Sequence, residues 1–124
     1  MGLRLTNSID AMERKGVMLF EQGSEFMDTA IIENQSAAQL LLKLMRLMDD
    51  ENRAIVTREH LAQRLGKSVA TIGRSMTYLM KRNAVLTSRV GGVTIIHVNS
   101  NIAWKGTNNK GRFAVFCTPL LKPA

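Results

Sequence analysis

A mainly helical α+β fold closed by one small β-hairpin is predicted by three features of the sequence. Apolar residues recur at helical spacing from Ala37 to Met48 and again from Val69 to Met80, and each run opens on a Ser suited to capping. Two β-rich runs, Val85 to Val90 and Val93 to Val98, flank Gly91-Gly92, which reads as a tight hairpin. Hydrophobic residues make up 45% of the chain and aromatics only 5%, so the core must be built from Leu, Ile, Val, Ala and Met, a composition that suits packed helices. A chain of 124 residues is long enough for one core. One domain over 1–124 is therefore expected: an arm over 1–35 holding candidate dimerisation elements, a core over 36–98, and a tail over 99–124 that contains a strand.

Taken in order, Asn7 or Ser8 caps a short helix that runs through Lys15 and ends at Gly16. Val17 to Phe20 reads as a strand, and Ser24 to Ile32 as a short helix, with a second strand as the alternative. Ser36 caps a core helix whose apolar face is Ala37, Leu40, Leu41, Leu44, Met45, Leu47 and Met48, with Lys43 and Arg46 outside it. Asp49, Asp50, Glu51 and Asn52 form an acidic loop. Thr57 caps the next helix, Glu59 falls in its first turn, Leu61, Ala62 and Leu65 face inward, and Gly66 ends it. Ser68 caps a third helix running from Val69 to about Arg82, with Val69, Ile72, Met76, Leu79 and Met80 as its buried stripe. Asn83 is a left-handed C-cap. The hairpin follows, and beyond it Phe113 to Phe116 reads as a strand, next to which Cys117 acts as a small apolar residue.

A short helix, a Gly-containing turn and a longer second helix make a helix-turn-helix, whose second helix enters the DNA major groove. Ala62 is small where the helices cross, Gly66 permits the turn, and Ile72 fixes the second helix on the first. The hairpin directly after makes it a winged helix-turn-helix. The charge agrees with this: the chain carries +7, and Arg53 to Gly92 holds eight basic residues against one acid, Glu59, while the remainder is balanced. A surplus confined to one motif points to a polyanion surface rather than to general solvation, because phosphates there replace condensed counterions.

Double-stranded DNA is the expected partner. Base reading falls to the exposed face of the third helix at Ser68, Ala70, Thr71, Arg74 and Tyr78. Arg74 is the strongest candidate, since a guanidinium can donate two hydrogen bonds to guanine O6 and N7. Arg58, Lys67, Lys81, Arg82 and Arg89 are placed for the DNA backbone, which sets position and affinity without reading sequence. Plainer roles exist: Lys81 and Arg82 also suit a helix C-terminus electrostatically, and Arg64 also suits plain solvation.

Other chemistries lack their residues. His60 and His97 have no ligand partners at metal spacing, no Gly-rich phosphate loop precedes a helix, and no nucleophile has an evident base. No metal, cofactor or enzymatic activity is expected. No apolar run approaches the roughly 18 residues of a membrane span, no signal peptide is evident, and Cys117 is the only cysteine. A soluble intracellular protein is expected.

After the hairpin the chain runs Val98-Asn99-Ser100-Asn101-Ile102-Ala103-Trp104-Lys105-Gly106. This ending, placed straight after a winged helix, resembles the firmicute-type plasmid replication proteins called RepL, over roughly Leu40 to Gly106. The resemblance implies a bacterial, cytoplasmic DNA-binding protein acting in plasmid replication initiation or copy-number control. Read from the residues alone, Trp104 anchors the tail against the core or a partner subunit. A homodimer is expected because one recognition helix covers little DNA. The alternative, an autoregulatory transcriptional repressor, would use the same surface. A winged helix that binds protein or RNA is the reading from another class, disfavoured by the charge map and by the lack of an aromatic platform.

Overall fold

In the computed structural model, which describes residues 16–106 and 109–121, strand β1 (Met18–Leu19) leads into helix α1 (Glu21–Glu33) and helix α2 (Gln35–Leu47). Strand β2 (Arg53–Ala54), helix α3 (Arg58–Leu65) and helix α4 (Val69–Lys81) follow, then strands β3 (Val85–Val90), β4 (Val93–Val98) and β5 (Ala103–Trp104), and a single turn of helix, α5 (Asn109–Arg112). The architecture is α+β, in an order consistent with a winged helix-turn-helix. The expected helix ending at Lys15 lies outside the described residues.

Helix α2 is central, packing against α1, α3 and α4. Leu40, Leu41, Leu44 and Met48 are fully buried on it, and Leu61, Ile72, Met76, Leu79, Val85 and Val98 close around them. Leu47, expected on this face, is exposed. The cap is Asn34 rather than Ser36. Its Oδ1 accepts from the Ala37 N–H at 3.0 Å while its own N–H donates to Ala30 O at 2.7 Å, so one residue ends α1 and starts α2. Helix α1 also begins three residues before the expected Ser24: Phe20 caps it without a side-chain bond, held by its N–H to Ile102 O at 2.9 Å, and its own carbonyl accepts from the Ser24 N–H at 2.9 Å. Gly23 lies against the Ile102 backbone, where a Cβ would overlap the carbonyl oxygen and lie 2.8 Å from the Cα.

On α4 the buried residues are Ile72, Ser75, Met76 and Leu79, whereas Val69 is 44% exposed. Helical Cα–Cβ bonds tilt toward the N-terminus, so at the first helical position the side chain overhangs the turn instead of the core. The hairpin follows the expectation. Val85 pairs with Val98 through to Val90 with Val93, and Gly91 and Gly92 both take positive φ, 58° and 84°, as a two-residue type I′ turn requires. Two strands were not legible: β2 adds to the free edge of β4, giving the sheet order β2-β4-β3, and β5 pairs antiparallel with β1.

The tail is woven into the core. Ile102, Ala103 and Trp104 are buried, and Asn99 Nδ2 donates to Asn83 O and Thr118 O, both at 2.7 Å. Leu121 N donates to Arg82 O at 3.0 Å, satisfying a carbonyl at the end of α4. Phe113 to Phe116 is a sequence of turns and bends, not the expected strand. Its backbone is bound locally and to the tail: Ala114 N donates to Gly111 O, and Phe116 O accepts from Ser100 N. Cys117 consequently sits half-buried outside any strand, its Sγ 3.5 Å from Asn101 Oδ1.

A polar knot joins the acidic loop to the tail. Asn52 is buried with φ +59°, and its side chain donates to Val98 O (3.1 Å) and Ala103 O (2.7 Å) and accepts from Lys105 N (3.2 Å). Lys105 then reaches the open end of α2, its Nζ donating to Met48 O at 2.6 Å and Arg46 O at 3.2 Å. Trp104, Lys105 and Gly106 thus form a structural clasp.

Candidate nucleic-acid interface

The turn between α3 and α4 is built as its residues dictate. Thr57 Oγ1 accepts from the His60 N–H at 3.1 Å, and Gly66 takes the left-handed conformation at φ +64° that an L side chain disfavours. Lys67 N then donates to Ala62 O at 2.9 Å, and Ser68 Oγ accepts from the Thr71 N–H at 3.1 Å to start α4.

From that cap a polar row climbs the exposed face of α4. Ser68 Oγ lies 2.9 Å from Thr71 Oγ1, which accepts from Arg74 Nη2 at 3.1 Å. Positions 68, 71 and 74 are each about one turn apart, so these contacts hold the Arg74 guanidinium along the helix surface toward the N-terminus. Ala70 is exposed beside the row, and Lys81 is exposed in the last turn. Arg58 is exposed in the first turn of α3, and its Nη1 is 3.4 Å from the Cβ position of Gly73, next to Arg74. Arg89 is exposed near the hairpin tip, its Nη2 donating to Gly92 O at 3.3 Å. A cleft of about 690 Å³ separates the hairpin from the start of α3, lined by Ile55, Arg58, Met76, Thr87, Arg89 and Val93 among others.

Two of the expected contact residues are committed within the fold. Tyr78 donates its hydroxyl to Glu33 Oε1 on α1 at 2.9 Å, and burial followed by this bond raises its pKa. Arg82 stacks on the Tyr78 ring, 3.7 Å from its centroid, and donates from Nη1 to Tyr78 O at 3.1 Å. Tyr78 and Arg82 therefore join α4 to α1, one and two turns beyond Arg74 along the same side of the helix. Lys67 is half-buried and lines a second groove with Lys43, Arg46 and Arg64, three residues not expected at a site.

Charge is unevenly spread over the elements. Among the described residues, Glu21, Glu25, Asp28 and Glu33 lie on α1, Asp49, Asp50 and Glu51 in the loop after α2, and Glu59 in the first turn of α3. Arg53 forms ion pairs with Asp49 (3.0 Å) and Glu51 (3.5 Å). Burial tends to raise the Asp49 pKa, but hydrogen bonds from the Arg53 and Glu51 backbone and from the Arg53 guanidinium outweigh it and hold the carboxyl low. Arg53 thus drops out of the basic surplus, whereas Arg58, Lys67, Arg74, Lys81 and Arg89 have no carboxylate partner among the described residues. His97 is hydrogen-bonded to Ser88 at 2.9 Å across the strand pair, and desolvation followed by the nearby Arg53 charge lowers its pKa. No cluster of three metal-ligating side chains occurs among the described residues, and no helix there is long and apolar enough to cross a membrane.

A family model described as Firmicute plasmid replication protein (RepL) matches residues 24–117. No curated protein and no solved structure matches the chain.

Proposed function

The chain belongs to the RepL family of Firmicute plasmid replication proteins, and from that premise we propose that it acts by sequence-specific binding of duplex DNA in replication initiation or copy-number control. The observation that carries this reading is the hydrogen-bonded row Ser68–Thr71–Arg74 on the exposed face of α4, flanked by cations with no carboxylate partner among the described residues.

In this reading α3, its turn and α4 are the helix-turn-helix, the β3–β4 hairpin is the wing, and α4 enters the major groove. Arg74 reads guanine, its remaining N–H groups aligned by Thr71 for O6 and N7. Ala70 and the Thr71 methyl pack on thymine methyls, and Ser68 contacts the base or phosphate at the entry of the helix. Arg58, Lys67, Lys81 and Arg89 hold the phosphates on either side. The reading needs no metal, cofactor or covalent step. It extends to two copies on one target, since a single recognition helix spans only a few base pairs; sedimentation giving one chain per bound target would remove that extension.

Selection from a random duplex pool, followed by binding of the enriched site, tests the reading. Arg74→Ala is expected to relax discrimination at one base position by about 1 to 3 kcal/mol, whereas Lys81→Ala weakens all sequences alike and lowers the salt slope by about one unit. Failure to enrich any sequence, or identical behaviour of the two variants, would overturn the assignment.

A further inference from the structure

We infer that the groove between α2 and the α3–α4 turn is a second phosphate-binding surface, which carries the duplex past the recognition helix. The inference rests on the duplex-binding reading above. The groove encloses about 330 Å³ and is lined by Lys43, Arg46, Arg64 and Lys67 together with Gln39, Leu42 and Leu65. Four cations and no acid meet there, brought from α2, α3 and the turn. None of the four has a carboxylate partner among the described residues.

Arg46 and Arg64 each lie in the last turn of a helix, where a cation complements the partial negative charge of that terminus. That accounts for two of the four. Lys43 lies a turn inside α2 and Lys67 beyond the end of α3, both half-buried, and they share one groove with two like charges and no acid. A polyanion in the groove offsets that mutual repulsion.

Continuity argues for a DNA backbone rather than a small anion. Lys67 lines the groove and directly precedes Ser68, the cap of α4, so a strand leaving the face of α4 meets it without a gap. Arg89 lines a separate cleft, the one between the hairpin and the start of α3. Lys43 and Arg46 fall outside the segment that holds the chain's charge surplus, and only the fold brings them to it.

The double variant Lys43→Gln/Arg46→Gln alters side chains outside the helix-turn-helix. Binding of the full chain to its selected duplex should show a salt slope lower by about two units, with the base preference retained, and trimming the flanking base pairs should abolish the difference from wild type. Arg64→Gln, on a separate element, should lower the slope by about one unit and serves if the double variant folds poorly. Wild-type slopes in these variants on an untrimmed duplex would overturn the inference alone. Loss of self-association with an unchanged slope would also overturn it, by assigning the groove to an acidic surface such as α1 of a second copy. Failure of the wild-type chain to bind any duplex would remove this inference together with the reading it rests on.

Discussion

Replacing Asn52 should be strongly destabilising. The side chain makes three hydrogen bonds while buried, to Val98 O, Ala103 O and Lys105 N. At about 1 kcal/mol net for each, Asn52→Ala loses about 3 kcal/mol. The backbone sits at φ +59°, which Asn tolerates and Ala does not, adding about 1 kcal/mol. The total of about 4 kcal/mol is a large part of the 5 to 15 kcal/mol that stabilises a typical domain. Asn52→Gly loses the same bonds without the conformational penalty and should fall about 1 kcal/mol short of the Ala variant. Urea titration followed by far-UV circular dichroism measures both; with a slope of roughly 1.5 kcal/mol/M, the Ala variant's midpoint should fall by about 2.7 M. An Ala variant within 1 kcal/mol of wild type would show that the three bonds contribute little, and a Gly variant no better than Ala would show that the backbone at Asn52 carries no strain.

The clasp makes a second forecast: Lys105→Met removes the donor to Met48 O and Arg46 O and should cost about 1 to 2 kcal/mol in urea unfolding, with the salt slope for duplex unchanged. A slope lower by one would make Lys105 a phosphate ligand instead. Gly23→Ala should destabilise by about 1 to 2 kcal/mol because the new Cβ meets the Ile102 backbone, although Ala is the better helix former; the same change at exposed Ser24 should be neutral or stabilising, and equal effects at the two sites would contradict the packing. The lowered pKa of His97 means that the unfolded chain binds its proton first, so its contribution is complete above about pH 6.5. Stability is lost as the pH falls from there through the folded-state pKa. The unfolding midpoint of wild type should therefore drop between pH 7.5 and 5.5 by more than that of His97→Gln, and parallel drops would exclude His97 as the source.

The parts of the fold legible in the sequence are those set by local chemistry. Thr57, Gly66, Ser68 and Gly91-Gly92 each satisfy a backbone requirement within a few residues, and each stands where its type predicts. Strands β2 and β5 are two residues long, too short for any periodicity, and exist only because β4 and β1 offer partners. Asn34 displaced Ser36 as the cap because it also ends α1, a double duty that no single-helix pattern reveals. The candidate surface divides in the same way. The Ser68–Thr71–Arg74 row follows from helical spacing, whereas the engagement of Tyr78 by Glu33 spans 45 positions and the grouping of Lys43 and Arg46 with Arg64 and Lys67 depends on how α2 meets α3. The Trp104-Lys105-Gly106 stretch carried the family resemblance, and its contacts are structural: a buried ring, a helix-end donor and a close approach to the Asp50 carbonyl.

A sequence-specific duplex surface on the α4 face and the hairpin is tested by fluorescence-anisotropy titration of the full chain with duplex from its own upstream region and with scrambled duplex, each across a salt series. The upstream duplex should bind more tightly by a factor of about 10³ or more, with the affinity for both falling steeply as salt rises. Equal affinity for the two duplexes at every salt concentration would rule such a surface out.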